Sequence, residues 1–272
     1  LRKSMFFALL REWIIAPIRN YQLFENFTKQ DFLAQFSGSI FGFLWLFITP
    51  VVNILIYSFV FGYVFQLRAL PEFGETEFVL FLLVGYLPWF ALADSVGKST
   101  SLLLEKAGLI TKVMFPVQIL PVVCTVIPYL THLIGFSLLL AYLAWQGYFT
   151  ALWLLIPIIY FFQFLFTLGL VAVISALSVF LRDLQKLVLL CLTVWFFLTP
   201  IIYPISIIES EGLRDLFLLN PMHNFIMLYR EIILVGEFEI KHLSTIAPIS
   251  IFSYLLGGWL FVRIKHAFGD VL

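Results

Sequence analysis

Residues 113–181 read VMFPVQILPVVCTVIPYLTHLIGFSLLLAYLAWQGYFTALWLLIPIIYFFQFLFTLGLVAVISALSVFL, 69 residues without one Lys, Arg, Asp or Glu. As a single helix this stretch would be roughly 100 Å long, enough to cross a ~30 Å hydrocarbon core twice. Gln146-Gly147-Tyr148 is its natural turn. Two membrane spans follow, at about 117–145 and 150–181. The rest of the chain agrees: 62% of its 272 residues are hydrophobic and its mean hydropathy is +1.04. Only 12% are charged, where about 25% is usual for a soluble domain. A chain of this composition cannot cover itself with polar surface. That excludes a water-soluble enzyme, a disordered chain and, with 16 basic against 16 acidic residues, a nucleic-acid binder.

Outward from that stretch, uncharged intervals place further spans at about 40–65 and 78–97 before it, and 187–203 and 243–263 after it. The expected fold is an all-α polytopic membrane protein with six transmembrane helices. Residues 1–38 read as amphipathic helices lying on a membrane face, separated at Pro17, with Trp13, Phe24, Phe27 and Phe36 at headgroup level. The chain does not begin with Met, so a preceding segment is expected. Between the last two spans, 216–229 is apolar but too short to cross, and Asn220-Pro221 interrupts it. A re-entrant or interfacial helix pair is expected there. Six crossings put both termini on one side. That side then carries twelve Lys and Arg against four (Arg68, Arg214, Arg230, Lys241) on the other, so both termini are predicted cytoplasmic.

Chemistry-bearing motifs are few. Gly97-Lys98-Ser99 ends like a phosphate-binding loop, but Leu92 stands where the first glycine should be, and the tripeptide follows a helix rather than a strand. Cys124 and Cys191 form no paired motif, and the four histidines show no metal spacing. His132 reads as a lone neutral histidine between helices. Asp94 reads as an i,i+4 partner of Lys98 at the cytoplasmic interface. Gly38-x-x-x-Gly42 permits close helix approach, equally within the chain or across a dimer seam. Aromatic residues make up 18% of the chain and cluster near span ends. Such faces either form an interfacial belt or line a path on which a sugar chain stacks.

Several motifs together resemble one family. They are Ser39-Ile40-Phe41-Gly42-Phe43-Leu44-Trp45 with Pro50, Gly85-Tyr86-Leu87-Pro88-Trp89, and Leu109-Ile110-Thr111-Lys112-Val113-Met114-Phe115-Pro116. Arg182-Asp183-Leu184, Thr199-Pro200-Ile201-Ile202-Tyr203-Pro204, Asn220-Pro221 and Tyr229-Arg230 complete the set. In order and spacing they resemble the permease subunits of bacterial ABC-2-type polysaccharide exporters, which serve O-antigen, capsule and teichoic acid. The resemblance runs from about Tyr21 to Arg263.

It implies a transmembrane domain over 39–265 with a cytoplasmic tail at 266–272, in the bacterial inner membrane. It also implies a homodimer of half-transporters with two separate ATPase subunits that hold ATP and Mg, and no cofactor or metal in this chain. A coupling loop at 99–116 would meet the ATPase through Glu105, Lys106 and Lys112, with Phe115 and Pro116 setting the angle of the third span. An outer gate at 204–241 would use Pro204, Asn220, Pro221, Tyr229 and Arg230, and Arg182 and Asp183 would hold the end of the fourth span. Trp45, Tyr57, Trp89, Phe90, Trp195, Phe197 and Tyr203 would line the glycan path. A lipid-linked glycan would come in laterally between the first and fifth spans. The family often has basic residues just ahead of the first span, where this chain has Ala34-Gln35-Phe36. Arg19 and Lys29 are the substitutes for contacting the lipid phosphate. An ABC-2 exporter of teichoic acid, a drug or a lipid is the alternative. A membrane-embedded glycosyl- or acyltransferase would need converging carboxylates or a His-Asp pair at one membrane depth, and the spans are expected not to supply them.

Overall fold

The structure, a computed structural model, describes residues 2–65, 77–112, 115–181, 183–205, 212 and 217–272. Val113, Met114, Arg182 and most of 206–216 in the expected gate lie outside the described residues, as do the loop charges Arg68, Glu72, Glu75, Glu209, Glu211, Arg214 and Asp215.

The described residues are helical and contain no strand. In order they form α1 (Arg2–Arg19), α2 (Tyr21–Ala34), α3 (Trp45–Tyr57), α4 (Phe78–Ser99), α5 (Leu102–Glu105) and α6 (Ala107–Lys112). Then come α7 (Ile119–Trp145), α8 (Ile156–Ser178), α9 (Leu184–Phe197), α10 (Pro221–Arg230), α11 (Ile240–Ile264) and α12 (Phe268–Val271). Among the described residues five helical stretches are long and apolar enough to cross a membrane: Gly42–Val64, Phe78–Ser99, Ile119–Trp145, Ala151–Ser178 and Ile240–Val271. The expected fifth span is shorter than its uncharged interval. At 14 residues, α9 is about 21 Å long, because the chain leaves helical geometry before Pro200.

The bundle is built around α4, most of which is buried, whereas Gly42–Val64 is largely uncovered at the rim. Helix α9 runs antiparallel beside α4. Leu189 lies near Gly97, Trp195 lies edge-on to Trp89, and the carbonyls after α9 reach the start of α4 through Arg230. Helices α8 and α11 touch backbone to backbone. A Cβ on Gly169 would overlap the Ser253 carbonyl, and one on Gly257 would overlap the Gly169 carbonyl. Small residues at such a crossing allow dispersion contacts between backbones that larger side chains would block.

Three sequence expectations change. Trp13 is 1% exposed, lies against Gly258 and packs on Tyr254 and Phe261 of α11, so its ring faces α11 and not lipid. Helix α1 runs through Pro17, and the break falls at Asn20, whose Nδ2 donates to the Ala16 carbonyl. Among the described residues, no atom lies within 4 Å of a Cβ built at Gly38 or Gly42. Both have positive φ (76° and 48°) and turn the backbone from α2 toward α3.

We expect Gly257→Val to separate α8 from α11 and lower the thermal midpoint of the detergent-purified chain, at a cost of about 1–3 kcal/mol or more. Gly108→Ala, with no atom near the added methyl, should leave the midpoint unchanged or slightly raised. Equal behaviour of the two variants would contradict this packing.

Candidate functional site

The sequence-predicted residues fall in three places. The first is the elbow between α4 and α7. Leu102 and Leu103 are buried and anchor it, while Leu104, Glu105, Gly108 and Lys112 are exposed. Lys106 is not free. Its Nζ pairs with Asp31 of α2 at 2.9 Å and lies 5.6 Å from the Phe27 ring centre. Phe115 packs edge-on against Phe27 at 5.2 Å, and the Pro116 carbonyl accepts from Ile119 N–H at the head of α7. The elbow is thus braced against α2.

Both chain ends lie at this same end of the bundle. Glu12 accepts from Gln118 at 2.6 Å and pairs with Lys265. Around them is a cavity of about 850 Å³ bordered by Arg11, Arg19, Glu12, Gln118 and Lys265. Arg19 is exposed at its rim. Lys29 is exposed on α2 and does not line it, so the two expected phosphate contacts are not brought together.

The second place is the cleft between α3, α4 and α7, about 320 Å³ and bordered by Trp45, Asn53, Tyr86, Phe90, Asp94 and His132. Tyr57 lies 4.9 Å from Tyr86, and Tyr86 4.2 Å from Phe90. Trp45 is 41% exposed and its Nε1 donates to Ser39 Oγ. Phe197 is exposed, and Tyr203 donates to its carbonyl at 2.6 Å. Trp89 differs. It is 2% exposed, edge-on to Trp195 at 5.4 Å, and therefore supports the wall of α4 and α9 instead of facing the cleft.

The cleft also corrects two assignments. Asp94 Oδ2 lies 2.7 Å from His132 Nε2, so the partner of Asp94 is His132 on α7 and not Lys98, and His132 is not alone. A His-Asp pair therefore does exist. The sequence could not show it, because the two residues are 38 positions apart.

The third place is the opposite end. Asn220 caps α10, with Oδ1 accepting from Met222 N–H and from Trp195 Nε1 and Nδ2 donating to Thr199 Oγ1 and the Leu198 carbonyl. Pro221 follows at the first helical position, where its missing N–H costs nothing. Pro204 is buried just beyond α9. Tyr229 is fully buried and donates to Gln163 Oε1, while Gln163 Nε2 donates to the Pro88 carbonyl.

Arg230, counted in the sequence among the charges of the far side and as a gate residue, is 0% exposed. Its Nε donates to the Phe81 carbonyl (3.1 Å), Nη1 to Pro200 (2.7 Å) and Nη2 to Ile201 (2.8 Å), and the guanidinium lies 3.3 Å from the Phe81 ring centre. Among the described residues no carboxylate pairs with it. Beside it, burial, with His242 and Arg230 nearby, pushes the His223 imidazole down to about 4.

Sequence spacing also missed Glu231, Glu239 and His242, whose ligand atoms all lie within 4.8 Å of one another. The i,i+3 spacing of Glu239 and His242 was the available signal, but Glu231 joins them only through the fold.

Arg230→Lys keeps the charge but cannot reach three carbonyls in a fork. At about 1.5–3 kcal/mol for each lost charge-assisted bond, we expect a loss of about 3 kcal/mol or more, read as a lower thermal midpoint in detergent. An unchanged midpoint would remove Arg230 from the structural core.

Comparison with known proteins agrees with this architecture. The ABC-2 type transporter family matches residues 22–234. The chain is 35% identical over 215 residues to the O-antigen export system permease protein RfbA of Myxococcus xanthus, covering 77% of this chain and 79% of that protein. It is 29% identical over 254 residues to the protein of the same name from Klebsiella pneumoniae, covering 93% and 95%. Together with its long apolar helices, these matches show that the chain belongs to the ABC-2 type transporter family, as a multi-pass inner-membrane permease that works with ATPase subunits.

Proposed function

We propose that this chain is the membrane-spanning subunit of an ATP-driven exporter that moves a lipid-linked, O-antigen-like polysaccharide from the cytoplasm across the inner membrane. The observation that carries the reading is the elbow. A short helical pair projects from the buried central helix with Leu104, Glu105 and Lys112 exposed, in a chain whose relatives are named O-antigen export permeases. A rigid elbow continuous with α4 can pass a push from a docked motor into the bundle.

The termini and elbow lie in the cytoplasm in this reading. Their clustering at one end, with most of the basic residues, supports that side. Helix α9, with 198–203, completes a sixth crossing, supported by its antiparallel course along α4. ATP and Mg belong to the separate motor subunits, since Gly97-Lys98-Ser99 is the helical end of α4 and not a phosphate loop. Two copies pair through α3 and α9, whose apolar faces are exposed at Phe47, Leu55, Leu187 and Leu190. The lipid carrier comes in between these helices, with Arg19, at the rim of the cavity beside the termini, as the phosphate contact and Lys29 a separate basic site on α2. The glycan stacks on Trp45, Phe90 and Phe197, and the Asp94–His132 pair offers hydrogen bonds to sugar hydroxyls.

Teichoic acid, a drug or another lipid remains the alternative cargo. The His-Asp pair is one element of the transferase reading. Among the described residues, however, no hydroxyl or thiol is hydrogen-bonded to His132, and no second carboxylate lines its cleft.

In vesicles containing this chain and its ATPase, labelled lipid-linked glycan should cross only when ATP is hydrolysed. Movement without ATP, or none with an active ATPase, would refute the proposal. Glu105→Lys with Lys112→Glu should reduce co-purification of the ATPase without lowering the thermal midpoint. Lys106→Asp should destabilise the elbow, and adding Asp31→Lys should restore it if the ion pair is a brace.

A further inference from the structure

At the end of the bundle remote from the termini, the chain leaves α10 through a π-helical turn (Glu231–Val235) and reverses at Gly236. Gly236 has φ 76°, and the Gly236 and Glu237 N–H groups both donate to the Glu231 carbonyl. The reversal brings Glu239, at the cap of α11, and His242, in its first turn, back over Glu231. His242 Nε2 lies 3.1 Å from Glu231 Oε1 and 3.9 Å from Glu239 Oε2.

The hydrogen-bond network assigns the imidazole. Asn224 Nδ2 donates to two carbonyls, those of Leu218 and Asn220, so Asn224 Oδ1 is the atom facing His242 Nδ1 at 2.9 Å. Flipping the amide would set its oxygen against two carbonyl oxygens. An amide oxygen only accepts, so Nδ1 carries a proton. In the neutral ring Nε2 is then a lone pair aimed at two carboxylates. Glu231 is 9% exposed, and its second oxygen, Oε2, is buried with no hydrogen-bond partner among the described residues. No Lys or Arg among the described residues pairs with Glu231 or Glu239. Two carboxylates converging on Nε2, one of them buried with an unpartnered oxygen, call for positive charge between them, supplied either by a proton on Nε2 donated to Glu231 Oε1 or by a bound cation.

We propose that Glu231, Glu239 and His242 bind a divalent transition metal of the zinc class, with the fourth position open to water on the exposed side of Glu239. Tetrahedral ligands at about 2.0–2.2 Å from zinc stand roughly 3.3–3.5 Å apart; the two separations from Nε2 bracket that range, and all three ligand atoms lie within 4.8 Å of one another. The imidazole selects against Mg and Ca, which prefer oxygen ligands. Asn224 acts as the outer partner that holds the ring, as such partners do in metal sites. The metal would tie the segment 231–239 to α11. The inference does not depend on the export reading.

The test uses the full-length chain, purified without a histidine tag, stripped with chelator and re-equilibrated with micromolar zinc. We expect one zinc per chain, a raised thermal midpoint, visible absorption of tetrahedral type when cobalt replaces zinc, and no response to Mg. Glu239→Gln, at an exposed position that folding tolerates, should weaken zinc binding at least about 10-fold, the loss that even an outer-shell change brings. His242→Gln should abolish the cobalt spectrum. Zinc uptake well below one per chain, or uptake equal in wild type and Glu239→Gln, would overturn the proposal.

Discussion

In hydrocarbon, a backbone carbonyl without a donor costs several kcal/mol, and every place where a helix stops inside the bundle creates such carbonyls. This chain stops α9 early and starts α4 at the same depth. Arg230 answers that need after α9 with one planar group that donates to the Pro200 and Ile201 carbonyls, and its Nε also reaches the Phe81 carbonyl in the first turn of α4. Its charge is spread over those carbonyl dipoles and the Phe81 face, without a carboxylate. Gly85 leaves the room it occupies: a Cβ there would lie 2.9 Å from Nη2. Asn220 and Tyr229 extend the same solution, capping α10 and tying α8 to α4 through Gln163. Without these donors, the folded-back segment between α9 and α11 could not sit against the bundle.

The two ends are built differently, and the contrast bears on function. The end that holds the termini uses ion pairs between separate elements, Lys106 with Asp31 and Lys265 with Glu12, which stay adjustable in water. The other end, apart from the Glu231, Glu239 and His242 cluster, uses buried bonds to backbone carbonyls. Helix α4 joins them, buried along most of its length. In the export reading, a polar and adjustable surface faces the motor, while a rigid joint closes the far end of the same helix.

Much of the architecture was legible because it depends on local composition. The 69 uncharged residues could not be anything but two spans, and the polar elbow stood out as the break between apolar runs. Asn220-Pro221 was recognisable as an interruption, although its role as cap and first helical residue needed the neighbouring α9. Trp13 was misplaced because an amphipathic helix has the same pattern whether its apolar face meets lipid or α11. Asp94 pairs with Lys98 in a linear reading because such a reading offers only partners within about one helical turn. The fold placed His132 closer.

The sequence by itself determined the solvent of this protein and where its long apolar segments lie. Those follow from transfer free energies that add residue by residue along the chain. Tertiary structure decided which aromatics face a cleft and which are walled in, what Arg230 donates to, and that Glu231 and His242 meet across a reversal at Gly236. Those depend on contacts between residues far apart in sequence, whose energies exist only once the helices have packed.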